Sequence, residues 1–297
     1  MGETAILIAA HKPFDPPALE GYLPVQVGAA LALKDLGFQR DDEGENISVK
    51  NLQYCELTAQ YWAWKNLTEP RVMGLVHYRR YFVKDMYASD VKSQILTAAE
   101  ADALLEKYDI ILPKPVYKLA YNGTLYHSKP REGQDKPLLL LEDIVTRRCP
   151  EYLPSFEKFV YGHRASFGNM LVAKREVFCA YSAWMFPLLE EFERLGEEQG
   201  ILDPRMCGFI SEYLLCIWAD HNFAPEKIYF MDVANTEADR RALGYRVRKA
   251  LVKTGLFEPV SRAAFAVLQN QRLLKKVRAA KHLRRMKKER KKKNRAV

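Results

Sequence analysis

The chain has 297 residues, of which 48% are hydrophobic and 11% aromatic, so it can bury one large core or two smaller ones. No segment reaches the roughly 18 apolar residues that a membrane-spanning helix needs. The apolar run Thr4–Ala10 is too short for a signal peptide. We therefore expect a folded protein that is neither exported nor transmembrane. Its five cysteines are scattered without a C-x-x-C pair, which predicts reduced thiols.

The net charge of +9 is unevenly distributed. Residues 262–297 contain fifteen Lys and Arg but one acid, Glu289, so they carry +14 and the rest of the chain carries −5. Apolar residues alternate with the basic ones at helical spacing, which predicts a basic amphipathic helix that binds an anionic membrane surface. A solubilising disordered tail and a nucleic-acid patch are the alternatives. We predict a main domain over residues 1–258 and a basic helical tail over residues 259–297.

In chain order, the hydrophobic pattern alternates between short strands and helices. Strands are predicted at Thr4–Ala10 and at residues 72–76, 109–113 and 169–173. Helices are predicted at residues 58–67, 97–107, 138–149, 152–161, 175–195 and 208–220, with a helix or a strand plus helix at 25–36 and a long loop at 114–136. This alternation predicts an α/β fold with a mostly parallel sheet and helices on both faces.

The segment 72–82, VMGLVHYRRYF, changes abruptly from an apolar strand to polar groups. A buried charge must be paired or hydrogen-bonded, so Arg79 and Arg80 at the end of such a strand predict a bound anion. In open α/β sheets, ligands bind at the carboxyl ends of the strands. The alternative is that both arginines pair with the chain's own acids.

Three blocks upstream and within this segment occur in a characteristic order: NIS-x-KN at residues 46–51, Y-x-ELTA-x-YWAWKN at 54–66 and GL-x-HYRRYF at 74–82. IAAHKPF at 8–14, FGNMLVAKREVF at 167–178 and CGFISEYLLCIW at 207–218 complete the pattern. Over roughly residues 4–233 the chain resembles a bacterial family long classed as a domain of unknown function. That family occurs in capsule, exopolysaccharide and O-antigen gene clusters, and its assigned members are glycosyltransferases, including galactofuranosyltransferases.

The resemblance implies a GT-A-like three-layer α/β/α fold, in which a sugar nucleotide lies across the carboxyl ends of the first strands. The residues of this chain at those positions are the expected donor-binding set: His11, Lys12, Asn46, Lys50, Asn51, Tyr78, Arg79 and Arg80. Many such enzymes hold a divalent metal with an Asp-x-Asp after a strand, and this chain has none there. Arginine offers bidentate donors to phosphate, so we expect no metal cofactor, while Mn²⁺ or Mg²⁺ remains an alternative.

Inverting transfer of a sugar needs a base that takes the proton of the acceptor hydroxyl. Glu212 lies at the position that the resemblance assigns to an acid, and its apolar neighbours would raise its pKa. A surface glutamate is the alternative. His77 and His127 are further candidate bases, and His127 and Asn169 are candidate acceptor-binding residues. For Asn169, capping of a turn is an equal alternative.

These observations favour a glycosyltransferase that moves a sugar, galactofuranose or another hexose, from a UDP-sugar to a lipid-linked polysaccharide intermediate. We expect the enzyme to be cytoplasmic and peripheral on the inner face of the cell membrane. The alternative is a non-catalytic basic scaffold that binds nucleic acid or anionic membrane. A nucleic-acid binder would spread basic residues over its folded body, whereas this body is net acidic, so nucleic acid is the less favoured partner.

Overall fold

The computed structural model describes residues 3–117, 136–162, 164–239 and 243–269. The chain divides into two compact units, Met1–Ala238 and Asp239–Val297. The described part of the second unit contains two helices, α8 (Leu243–Lys253) and α9 (Phe257–Gln269). Most of the predicted basic tail lies outside the described residues, and the predicted boundary at residue 258 stays a prediction. No described helix combines the length and the apolar character needed to cross a membrane.

The first unit is built from short strands and longer helices. Its strands are β1 (Thr4–Ala10), β2 (Tyr22–Gln26), β3 (Gln39–Arg40), β4 (Val72–His77), β5 (Arg80–Val83), β6 (Ile110–Pro113), β7 (Val116–Tyr117), β8 (Arg164–Ala165), β9 (Leu171–Lys174) and β10 (Ile228–Asn235). Its described α-helices are α1 (Asn51–Tyr54), α2 (Leu57–Asn66), α3 (Ala98–Leu105), α4 (Lys136–Arg148), α5 (Leu153–Phe156), α6 (Arg175–Glu198) and α7 (Met206–Asn222).

The main sheet is mixed rather than mostly parallel, which corrects the expectation from the sequence. Its strand order is β3-β2-β1-β4-β5-β10-β6-β9, and β9 also pairs with β4, so five strands close into a ring. Pairing is parallel among β1, β2, β3 and β4 and between β6 and β10, but antiparallel at β4–β5, β5–β10, β4–β9 and β6–β9. Strand β5 follows β4 after two residues, which is too short for a parallel crossover.

Strand β5 was not predicted, because Arg79 and Arg80 mask an apolar continuation of the chain. Tyr81, Phe82 and Val83 are all buried, so the polar residues occupy a hairpin between two buried strands rather than the end of regular structure. Strand β10 was also missed. Only two of its eight side chains are buried, and the sequence IYFMDVAN interrupts the apolar pattern with Asp232.

Both faces of the sheet are buried, which explains the continuous apolar run of β1. Ala5, Leu7 and Ala9 belong to a large core shared with α2, α4, α6 and α7. The alternate residues of β1 belong to a second core shared with β5 and α3: Ile6, Ile8 and Ala10. A strand covered on both faces loses the alternation of polar and apolar residues. Helical residues therefore contribute to both cores, and the three-layer GT-A assignment stays a prediction.

One local prediction is confirmed at the start of α3, and two others differ from the structure. Thr97 caps α3, since its Oγ1 accepts the Glu100 N–H and the Glu100 carboxylate accepts the Thr97 N–H. This reciprocal capping box is the one expected from the sequence. Residues 152–161 form a 3-10 turn, α5 and a π-helical turn instead of one helix. Residues 25–36 contain the end of β2 and one 3-10 turn, Ala29–Leu31.

Candidate active site

A cleft of about 740 Å³ opens where β1, β2 and β4 end. These three strands are parallel, and the register places Ala10 beside Gln26 and Ala9 beside His77. Their carboxyl ends therefore share one edge, as expected for a ligand site in an α/β sheet. The residues that line the cleft are Ala9, His11, Val27, Asn51, Leu52, Cys55, Glu56, His77, Tyr78, Arg79, Arg80, Arg205, Gly208, Phe209 and Glu212.

One side of the cleft is cationic. Arg79 and Arg80 come from the β4–β5 hairpin, and Arg205 precedes α7. The Arg79 Nη1 lies 3.6 Å from the Glu237 carboxylate, but both side chains are more than 40% exposed, so this ion pair contributes little. The Arg80 guanidinium has no hydrogen bond or ion pair with a side chain of the described residues. The alternative that internal acids neutralise both arginines is therefore poorly supported.

Tyr78 organises the cations around it. Its side chain is buried, and the His11 and Phe14 rings meet it edge-on at centroid distances of 5.3 and 5.9 Å. The Lys12 ammonium and the Arg79 guanidinium lie over the ring at 5.0 and 5.3 Å. Burial, followed by the charges of Lys12 and Arg79, lowers the pKa of His11, so its imidazole favours the neutral form.

The cleft is also lined by a buried acid, Glu212 of α7. Glu212 is only 8% exposed, so the alternative that it is a surface glutamate is excluded. The backbone N–H of Gly168 donates to Oε1 at 2.8 Å, and Oε2 is buried without a hydrogen-bond partner among the described residues. Burial raises the pKa of Glu212 to about 8, the Glu56 charge adds to this, and the Gly168 N–H, Arg80 and Arg205 oppose it.

Behind Glu212, Asn169 fixes a second carboxylate. The Asn169 Nδ2 donates to Glu56 Oε1 and to the Gly208 carbonyl, each at 2.8 Å, and its Oδ1 accepts from the Ser211 hydroxyl at 2.9 Å. The residue is 2% exposed, so its amide is fully committed to protein partners. A direct contact with an acceptor sugar, as expected from the sequence, would require it to give up one of these bonds.

His77 contacts the same turn from the other side. Its Nε2 lies 2.5 Å from the Gly168 carbonyl oxygen and 3.9 Å from Glu56 Oε1. A carbonyl oxygen only accepts hydrogen bonds, so Nε2 carries the hydrogen in this contact. A neutral His77 would therefore keep its lone pair on Nδ1.

Unusual backbone conformations concentrate at this site. Among the described non-glycine residues, positive φ occurs at Cys55, Asn169 and Arg205, with φ of 51°, 50° and 68°. Two of them line the cleft and the third binds Glu56. Gly168 has φ 101°, which a residue with a side chain rarely adopts. For a non-glycine residue, a positive φ costs about 1–3 kcal/mol and persists where the surrounding structure enforces it.

Gly208 permits the close approach of α7 to the turn before α2. A Cβ at this position would lie 3.2 Å from the Cys55 sulfur, closer than ordinary packing allows. The absence of a side chain therefore lets the segment that carries Glu56 reach the helix that carries Glu212.

The structure brings together most of the predicted site residues. The cleft is lined by seven of them: His11, Asn51, His77, Tyr78, Arg79, Arg80 and Glu212. Asn46 instead organises its own loop, donating to the Asp42 and Gly44 carbonyls, and the Lys50 ammonium pairs with Glu193 at 2.6 Å. Neither lines the cleft, and their predicted donor contacts stay predictions. His127 lies outside the described residues.

Sequence reasoning missed Glu56 and Arg205 as site residues. Glu56 stands immediately before α2, and no local pattern marks it as a site residue. Arg205 lies in a polar loop, and no spacing links it to the arginines of the hairpin. The described residues contain no group of three or more His, Cys, Asp or Glu that could hold a metal ion. The expectation of a metal-independent site stays a prediction.

Comparison with known proteins places this cleft in a defined family. The model of a domain of unknown function, DUF4422, matches residues 5–223, which contain every residue that lines the cleft. The chain belongs to the DUF4422 family. No curated protein matches it.

Among solved structures, the chain is similar to an apo structure of the bifunctional glycosyltransferase WbbM, with a TM-score of 0.66 and 23% sequence identity. The match covers 80% of this chain but 46% of WbbM, so this DUF4422 chain spans less than half of that protein. At this identity, the similarity establishes a shared fold.

The burial of Glu212 predicts a pH-dependent stability. Its folded-state pKa is near 8, against 4.5 for an ordinary glutamate side chain, so the folded protein binds more protons between these values. The resulting stabilisation is complete below pH 4.5 and is lost as the pH rises through 8. Urea unfolding should show that Glu212→Gln gains stability relative to the wild type between pH 5 and 8.5, by on the order of 4 kcal/mol.

Glu198 provides the matched control, because it is exposed and paired with Arg194. Glu198→Gln should change stability equally at both pH values. A constant difference between Glu212→Gln and the wild type across this range would show that Glu212 is ionised in the folded protein and not buried as described.

Proposed function

We propose that this DUF4422 protein is a glycosyltransferase that moves a sugar from a nucleotide-sugar donor to a glycan acceptor. The observation that carries the proposal is that three arginines and a buried carboxyl share one cleft at the carboxyl ends of parallel strands. Transfer from a sugar diphosphate needs positive charge where the phosphate leaves and a base for the acceptor hydroxyl. The shared fold with the glycosyltransferase WbbM supports the same class of reaction.

The donor diphosphate binds to Arg79, Arg80 and Arg205 in this proposal. Guanidinium groups stay charged at all working pH values and form paired hydrogen bonds to phosphate oxygens. The hairpin and the start of α7 approach the cleft from different parts of the chain, so the three cations can surround one anion. We propose a UDP-linked hexose as the donor and metal-independent binding, with Tyr78, His11, Lys12 and Asn51 completing the pocket.

Glu212 acts as the base in this proposal. Its Oε2 has no protein partner among the described residues, so this oxygen can accept a proton from a substrate hydroxyl. A base with a pKa near 8 has more driving force for proton transfer than an ordinary carboxylate. Inversion at the sugar carbon follows from direct attack by the acceptor oxygen.

The proposed acceptor is a lipid-linked polysaccharide intermediate at the cytoplasmic face of the membrane. The charge of residues 262–297 supports this location, since this segment contains fifteen basic residues and a single acid. Each basic residue near an anionic bilayer contributes about 1 kcal/mol of attraction. Galactofuranose remains one candidate for the transferred sugar.

The donor site predicts a loss of nucleotide affinity in two variants. Arg79→Ala and Arg80→Ala should each weaken UDP binding by about 1.5–3 kcal/mol, because each removes charge-assisted hydrogen bonds to phosphate. Isothermal calorimetry on folded variants measures this change. Arg194→Ala is the control, because Arg194 is exposed on α6 and pairs with Glu198. Wild-type affinity in both hairpin variants would contradict the assignment.

Measurements of UDP affinity and of sugar transfer in the presence of EDTA test the role of a metal ion. Both should stay largely intact if the arginines neutralise the diphosphate. Complete loss of transfer with EDTA, restored by Mn²⁺, would show that a metal ion performs this function.

The proposed base predicts a selective loss of turnover. Glu212→Gln keeps the size of the side chain and the acceptor for the Gly168 N–H, but it cannot take a proton. Turnover should fall at least about 100-fold while donor affinity stays nearly unchanged. Steady-state kinetics and UDP titration separate the two effects. Retained turnover would transfer the role to His77 or His127.

The tail predicts salt-sensitive membrane binding. Deleting residues 270–297 keeps the described helix α9 and removes fourteen basic residues and one acid. The truncated protein should keep UDP affinity but lose co-sedimentation with anionic vesicles at 0.1 M salt, where screening acts over about 10 Å. A tail with its Lys and Arg replaced by Gln is the matched control and should also fail to bind. Unchanged sedimentation would locate the anchor elsewhere, and stronger binding to RNA at matched salt would favour the scaffold alternative.

A further inference from the structure

The floor of the cleft contains a second carboxylate that the proposed reaction has not yet used. Glu56 and Glu212 both line the cleft, although 156 positions separate them in the chain. The dipeptide Gly168–Asn169 holds both of them. Its first residue donates a backbone N–H to Glu212 Oε1, and its second donates a side-chain N–H to Glu56 Oε1, each at 2.8 Å.

The geometry of this arrangement is fixed from behind. The Asn169 amide is locked by Gly208 and Ser211 of α7, the helix that also carries Glu212. Glu56 immediately precedes α2, where the helix dipole stabilises a negative charge. Its side chain is 13% exposed and still reaches the cleft. One turn therefore sets the positions of both carboxyl groups at once.

Three charged side chains act on Glu212: Glu56, Arg80 and Arg205. Glu56 raises the pKa of Glu212, whereas Arg80 of the hairpin and Arg205 before α7 lower it. Cys55 and Tyr213 also interact with Glu212, but their own pKa values are raised, so both stay neutral near pH 7. His77 touches Gly168 rather than Glu212. Glu56 is therefore the anionic neighbour that acts on the proton affinity of Glu212.

We propose that Glu56 and Glu212, held side by side by the Gly168–Asn169 turn, form a functional carboxyl pair in which Glu56 acts through Glu212, the base for the acceptor hydroxyl. The inference rests on the proposed glycosyltransferase function and adds a residue that acts through Glu212. Two nearby carboxyl groups that share one site titrate in separated steps, because the first charge disfavours the second.

The pair takes part in the transfer step as follows. With both groups ionised, the acceptor oxygen forms a bond to the anomeric carbon of the donor as its proton moves to Glu212. The bond from that carbon to the diphosphate oxygen breaks, and its electron pair leaves with the nucleotide, whose new charge faces the arginines. The pair then holds one proton, which is released to solvent before the next cycle.

The pH dependence of transfer tests the pair. In the wild type, kcat should rise with pH to a plateau as Glu212 loses its proton. In Glu56→Gln, this ascending limb should shift to lower pH by about one unit or more, and the plateau should fall, since a weaker base remains. Glu56→Asp keeps the charge and should restore the limb towards its wild-type position. Glu198→Gln is the surface control and should match the wild type.

A carboxyl titration gives a readout that does not need transfer activity. ¹³C NMR of protein labelled at the glutamate side-chain carboxyl can identify the Glu212 resonance by its loss in Glu212→Gln. Its midpoint should fall by about one pH unit or more in folded Glu56→Gln and stay high in Glu56→Asp. Glutamine keeps an oxygen that can accept the Asn169 N–H, so this variant preserves the bond that holds the turn.

The outcomes separate the pair from the proposed function. A Glu212 midpoint that does not move in folded Glu56→Gln overturns the pair, whatever the activity. Full turnover in Glu212→Gln, together with its loss in Glu56→Gln, also overturns it, because Glu56 would then be the base. A shifted midpoint in a protein that transfers no sugar supports the pair and contradicts the glycosyltransferase proposal instead.

Discussion

The parallel pairing of β1 with both β2 and β4 is the constraint on which the cleft depends. It brings three chain segments to one edge of the sheet, with Ala10 beside Gln26 and Ala9 beside His77. The tight hairpin after β4 then directs Arg79 and Arg80 to that edge instead of extending the strand away from it. The continuous burial of β1 fixes its position from both faces, so the edge has little freedom to change shape.

The floor of the cleft follows from a second constraint, the unusual turn at Gly168 and Asn169. The Gly168 N–H donates to Glu212, and the Gly168 carbonyl contacts His77. The Asn169 side chain donates to Glu56 and to a carbonyl of α7. Holding an acid in a buried site and a backbone in a rare conformation both cost stability.

Much of the fold was accessible from local patterns, because those patterns report burial and capping directly. The apolar run of β1, the capping box at Thr97 and the helices α6 and α7 all followed from the sequence. The hairpin strand β5 did not, since its arginines interrupt an apolar stretch that is buried on the far side of the turn. The direction of strand pairing also depends on contacts between distant segments, so the mixed sheet could not be derived from the alternation of elements alone.

The site residues likewise fall into those that the sequence predicted and those that it did not. Arg79 and Arg80 were predicted as site residues because they stand out as charges after an apolar strand. Glu212 was predicted because the family resemblance assigns an acid to its position. Glu56 and Arg205 do not stand out locally, and only the folded chain brings them to the cleft. Asn169 was predicted to contact the acceptor, and this stays a prediction, while the structure shows that it is buried and donates a hydrogen bond to Glu56. The sequence therefore could not predict the site residues that reach the cleft only when remote segments of the chain come together in the fold.

The most direct test of the account is a crystal structure of the protein with UDP bound. We expect the diphosphate to lie in the cleft, with its oxygens within hydrogen-bond distance of Arg79, Arg80 and Arg205. The terminal phosphate should point towards the free Oε2 of Glu212. A nucleotide bound elsewhere, or one whose phosphates avoid the arginines, would contradict the claim that this cleft is the donor site.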